Sequence, residues 1–203
     1  MFYHDAMTQP FVATSARQLR TLASPVREEI IDAVSLIGPC TVTEMSRFLG
    51  RSRHALYYHV RAMRRVGLLL ETQASSRRAV AQYDLPGRPF SVQYDLTTPG
   101  IRRAVIALAH IRLRSAARGF VRACDAKLAT THGARRNLWV THWKGWLSDQ
   151  ELEEVNRLLK RLVRLLSHEP GERRRRRAHE LTFALAPVVP RVSGLRPTRS
   201  RRG

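Results

Sequence analysis

The chain has 203 residues, 43% of them hydrophobic and 26% charged, and its 36 Lys and Arg against 16 Asp and Glu give a formal net charge of +20. That apolar share can build a core, which excludes wholesale disorder, and the cation excess makes a polyanion, above all nucleic acid, the leading partner class. No run of about 18 apolar residues is available to cross a membrane.

Residues 1–10 lack the basic and apolar regions of a secretory signal, so the expected location is the cytoplasm, in association with the nucleoid. Cys40 and Cys124 are the only cysteines. They are far apart and have no histidine or cysteine at ligand spacing, so no metal or cofactor is expected. Both read as buried, reduced thiols.

Residues 1–16 carry no strong periodicity and read as a flexible lead-in, with a helix beginning near Arg17. Ser24-Pro25 is a helix start, serine capping and proline in the first turn, followed by Val26, Ile30, Ile31, Val34 and Ile37 at helical spacing. Gly38-Pro39 ends it. Thr41-Val42 reads as a short extended piece. Thr43 is placed as the cap of a second helix, Glu44 to Leu49, with Met45, Phe48 and Leu49 inward. Gly50 closes that helix, and Ser52 caps a third, Arg53 to about Val66, with Leu56, Val60 and Met63 inside. Gly67 terminates it. Leu68–Thr72 and Ala79–Leu85 read as two strands joined by the polar stretch 73–78.

Pro86 to Gly100, with three prolines and two glycines, reads as a boundary in which Phe90–Leu96 adds a strand. Thr98-Pro99 opens a long helix to about Ala129. Leu138–Trp146 is aromatic and β-branched and reads as a strand. Ser148-x-x-Glu151 is a capping box. It starts an amphipathic helix to about Ser167, with Leu152, Val155, Leu158, Leu159, Leu162, Val163 and Leu166 on one face. Burial of that stripe within its own domain and pairing with the same helix of a second chain are both open. Trp139, Trp143 and Trp146 read as core, with a ligand pocket shared with Phe120 as the alternative. The run Arg173–Arg177 leads to a further strand, Leu181–Val189.

The functional signal lies in Thr43–Val66. Helix, glycine turn and helix at this length pack crosswise and leave the second helix free to enter a major groove. Its solvent-side candidates are Arg53, His54, Tyr57, Tyr58 and Arg61, donors suited to base edges and phosphates. Arg51, Arg64 and Arg65 extend the stripe, and Arg51–Val66 contains no acidic residue. Arg77 and Arg78, at the tip of the two-stranded ribbon, suit a wing reaching flanking phosphate or a minor groove. His59, between Leu56 and Val60, is either half-buried and structural or a further DNA contact.

Here the sequence resembles a family. The run Arg20-Thr21-Leu22-Ala23-Ser24-Pro25-Val26-Arg27 is similar to the opening of ArsR-type winged-helix regulators. Ser52 to Met63, SRHALYYHVRAM, resembles their recognition helix, and Arg65-Val66-Gly67-Leu68-Leu69 resembles their turn into the wing. The resemblance implies a bacterial-type transcription regulator, dimeric on a promoter and usually repressing, with Ser52, Tyr57 and His59 near DNA. It departs from the family in lacking a Cys-x-Cys metal-sensing pair. The chain is also about twice the family's minimal length, and WKGWLSDQEL, residues 143–152, resembles the C-terminal region of longer regulators of this kind.

The expected fold is mainly α with a small β component (α+β). A winged helix-turn-helix domain spans 17–95, a helical dimerisation or effector domain 96–190, and a disordered basic tail 191–203. Expected partners are double-stranded DNA, a second copy of the chain, and a small-molecule effector of unassigned identity. No phosphate-cradling loop, metal cluster or nucleophile–base spacing suggests an enzyme. Residues 96–203 hold a net +16 against +4 for 1–95. This imbalance leaves a second function in view, non-specific nucleic-acid binding by the arginine-rich half.

Overall fold

The structure is a computed structural model that describes residues 9–72, 80–167 and 177–189. It contains six helices and five short strands among these residues, an α+β chain with helices predominating.

The N-terminal half is built on three helices. α2 (Pro25–Ile37) starts at Ser24 with proline in its first turn, although the Ser24 hydroxyl makes no cap hydrogen bond. α3 (Val42–Leu49) begins two residues earlier than its sequence suggests. Its cap is Thr41, whose hydroxyl accepts the Glu44 N–H at 3.2 Å while the Glu44 carboxylate accepts the Thr41 N–H at 2.7 Å. Thr41-x-x-Glu44 is a reciprocal capping box; Thr43 has no acid three residues on and lies inside the helix. Gly50 closes α3 in the left-handed conformation, φ 64°, which costs glycine nothing. α4 (Arg53–Arg64) is capped by the Ser52 hydroxyl on the Ala55 N–H and ends two residues before Val66.

β2 (Cys40–Thr41), β4 (Gln82–Asp84) and β3 (Leu70–Thr72) form an antiparallel sheet in that order. β3 and β4 fall within the two expected strands and are shorter, while β2 lies one residue before the expected extended piece Thr41-Val42, because Val42 opens α3. A second sheet was not legible: β1 (Phe11–Ala13) pairs in parallel with β5 (Phe90–Val92), Phe11 opposite Phe90. Residues 11–13 are therefore structure, not lead-in. Gly87 is obligatory here, because a β-carbon on it would lie 2.0 Å from the Gln9 carbonyl oxygen.

Leu22, Ile30, Val34, Val42, Met45, Leu56, Val60, Met63, Leu68 and Leu69 form one buried cluster between the helices and the sheet. Phe48, expected inside, is half exposed. α1 (Ala16–Leu22) is tied to the end of α4 by the Gln18 amide, which donates to the Val66 carbonyl at 3.2 Å. α5 (Pro99–Asp125) packs along α1, burying Ala104 and Leu108, and Arg112 donates to Glu28 of α2 at 2.7 Å. The start of α5 is thus part of the N-terminal body.

Past Leu108 no described residue is buried. Leu138–Trp146 and Leu181–Val189 are not strands, because neither finds a backbone partner among the described residues and propensity alone does not make a ladder. Trp139, Trp143 and Trp146 are exposed and belong to no core, and Cys124 is exposed while Cys40 is buried. α6 (Asp149–Leu166) starts at the Ser148–Glu151 capping box, yet none of its residues is buried. Its leucine stripe is not buried by any of the described residues. The ribbon tip with Arg77 and Arg78, most of the Arg173–Arg177 run and the tail lie outside the described residues. No described helix is long and apolar enough to cross a membrane.

Candidate nucleic-acid interface

The junction between α3 and α4 is locked by two bonds between the same residues. Ser46 Oγ donates to the Arg51 carbonyl at 2.6 Å, and the Arg51 N–H donates to the Ser46 carbonyl at 3.2 Å. With Gly50 between them, the turn fixes the angle at which α4 leaves the body. Leu56, Val60 and Met63 then bury one side of α4.

The opposite side of α4 is the candidate interface. Arg53, Tyr57, Arg61 and Arg64 recur at intervals of four, four and three, so they form one row along the helix, with His54, Tyr58 and Arg65 beside it. All seven are exposed, Tyr57 at 49% and Tyr58 at 69%. Among the described residues, the side chains of Arg53, His54 and Arg61 have no hydrogen-bond or ion-pair partner. Their donors are therefore available to a ligand, and no carboxylate on α4 competes for them.

Two further arginines are held by the body. Arg51 lies bidentate on Glu29 of α2, Nε to Oε2 at 2.5 Å and Nη2 to Oε1 at 3.0 Å. Arg64 pairs with Glu71 of β3, tying the end of α4 to the ribbon. Both remain partly exposed at the rim of the row. Tyr83 of β4 stands behind this pair, its phenol pushed up by burial and by Glu71. Sequence reasoning did not find Glu29, Glu71 or Tyr83. Glu29 and Tyr83 act across long sequence separations, and Glu71 meets Arg64 from seven residues on, across the turn from α4 into β3.

His59 lies on the flank of α4 toward α2, half-buried, with its Nδ1 buried and without a partner. Its imidazole is held below the ordinary histidine value, first by desolvation and then by Arg27 and Arg51. The Tyr58 ring meets it edge-on at 5.2 Å. The surroundings of His59 thus favour its neutral form, and it stands off the main row. The Ser52 hydroxyl is spent on its cap bond at the α4 N-terminus, where the unpaired backbone N–H groups favour an anion.

Residues 22–72 match a family model described as a helix-turn-helix domain. The matched stretch runs from the last residue of α1 through α2, α3 and α4 to the end of β3, so it contains the locked turn and the whole exposed row. This helix-turn-helix domain is of the kind found in DNA-binding regulators. No curated protein matches the chain.

Proposed function

We propose that this protein is a sequence-specific transcription regulator of the repressor type, acting as a homodimer on double-stranded DNA. The observation that carries this reading is the row Arg53–Tyr57–Arg61 on the outer side of α4, exposed, cationic, without a competing carboxylate and mounted on a turn fixed at Ser46 and Arg51. Arg53, His54, Tyr57, Tyr58 and Arg61 read base edges in the major groove. Arg51, Ser52 and Arg64 hold the flanking backbone. His59 lies at the edge of the groove, and Arg77 and Arg78 on the ribbon reach flanking DNA. The ArsR-like resemblance supports the repressor and dimer assignments. Residues 17–95 form the DNA-binding domain, and 96–190 the dimerisation or effector domain, with α5 joining the two. A small-molecule effector would act through the second.

The net +16 of residues 96–203 favours a second reading, a non-specific architectural binder of nucleic acid. Selection of genomic fragments by purified protein at ~50 and ~200 mM salt separates the two, because non-specific binding collapses with counterion uptake over that range. Discrete two-fold symmetric sites at the higher salt are expected. Uniform recovery that vanishes with salt would replace the regulator by the architectural binder.

A further inference from the structure

The apolar side of α6 has the spacing of a helix–helix seam. Leu152, Val155, Leu159, Leu162 and Leu166 alternate intervals of three and four, the a and d positions of two heptads. Leu158 and Leu165 widen the stripe on one side and Val163 on the other. Leu152, Leu162 and Leu166 are 40%, 42% and 47% exposed. Val155 and Leu159 are half-buried, and none of the stripe is fully buried among the described residues.

The charges of α6 choose the occupant. Asp149, Glu151, Glu153 and Glu154 fall in its first half, Arg157 at its middle, and Lys160, Arg161 and Arg164 in its second half. A nucleic acid or an anionic membrane would be repelled by the first half, and an acidic protein likewise. A parallel copy would set acid beside acid and base beside base. An antiparallel copy sets each acidic half beside a basic half, and the spacing stays in register. About a two-fold axis at position 157, a-position leucines meet d-position partners: Leu152 with Leu162, Val155 with Leu159.

We propose that α6 is the dimer-forming element of this protein and pairs antiparallel with α6 of a second copy, Leu152 against the partner's Leu162 and Val155 against the partner's Leu159. This rests on the homodimer reading above and specifies its surface and direction. At ~1.5 Å per residue, an 18-residue helix gives a seam of only ~27 Å. The interface therefore draws on neighbouring apolar surface too. Trp143 and Trp146, 87% and 99% exposed just before α6, supply it.

The test uses the full chain. Sedimentation equilibrium at micromolar concentration should give two chains for the wild type and one for Leu159→Asp and for Leu162→Asp, with circular dichroism showing the body intact. Direction is read by oxidative cross-linking of single cysteines in a Cys124→Ser background. Leu152→Cys alone and Leu162→Cys alone should stay uncoupled, while an equimolar mixture of the two forms a covalent dimer. Dimers that persist in both aspartate variants would overturn the α6 assignment and leave the homodimer standing. Coupling of Leu152→Cys to itself would overturn the antiparallel arrangement. A monomeric wild type that still binds a single half-site would remove both dimer statements and leave the DNA-reading face untouched.

Discussion

The two halves of this chain use similar local chemistry and end in different states. α3 and α6 begin with the same device, a hydroxyl and a glutamate three residues apart that cap each other, and both are amphipathic. In α3, Val42 and Met45 enter a core shared with α2, α4 and the sheet. In α6 the stripe is at least as regular, and among the described residues nothing buries it. Amphipathicity thus states that a face needs cover; the cover itself depends on what the rest of the chain brings into reach. The helical signal was equally clear in both, and the difference is one of available neighbours.

The comparison breaks first at the core. Leu56 is fully buried, so Leu56→Ala should cost about 2–5 kcal/mol in urea unfolding through lost contacts and a cavity. Leu159→Ala, measured at dilution where α6 is unpaired, should leave the same transition in place. Equal losses at the two sites would mean that α6 is packed on the body after all.

A smaller effect is expected at the exposed row. Arg53→Ala and Tyr57→Ala should each lower affinity for a selected operator by about 1–3 kcal/mol, roughly 5- to 150-fold, with the melting temperature unchanged. Full affinity in both variants would move the reading face away from α4.

Smaller still is the contrast between caps. Thr41→Ala should destabilise the body by about 1 kcal/mol, because α3 unfolds with the core. Ser148→Ala removes an equivalent cap and should lower helical content at α6 without shifting the body's unfolding midpoint. Coincident shifts in both variants would show one cooperative unit.

The finest probe is His59. Its imidazole is held low in the folded state by desolvation and by Arg27 and Arg51, so the unfolded chain binds its proton more readily. That contribution to stability is complete above about pH 6.5, the ordinary histidine value, and is lost as pH falls below it. His59→Gln should flatten the decline in stability between neutral and mildly acid pH. An unchanged slope would mean that the imidazole is not desolvated in solution.

Much of the helix-turn-helix was legible because its signals are local. Ser24-Pro25, Gly50, Ser52 and the spacing of Leu56, Val60 and Met63 each dictate backbone geometry within a few residues. The displaced start of α3, Thr41 for Thr43, turned on which hydroxyl has an acid three residues downstream, and that too was written in the chain. The outward row of α4 followed from the inward one by helical period alone.

Distance in sequence marks what was not legible. The parallel pairing of residues 11–13 with 90–92, the docking of α5 on α1, and the carboxylate of Glu29 that holds Arg51 are all contacts between segments with no local relation. Leu138–Trp146 and Leu181–Val189 have strand-like composition but no ladder partner among the described residues. By itself the sequence determined where helices start, stop and turn their apolar faces, because capping, glycine conformation and helical period act within one or two turns. Only the tertiary structure decided which of those faces are buried, which arginines are free and which are held, because burial and ion pairing depend on surfaces that meet only after the chain has folded.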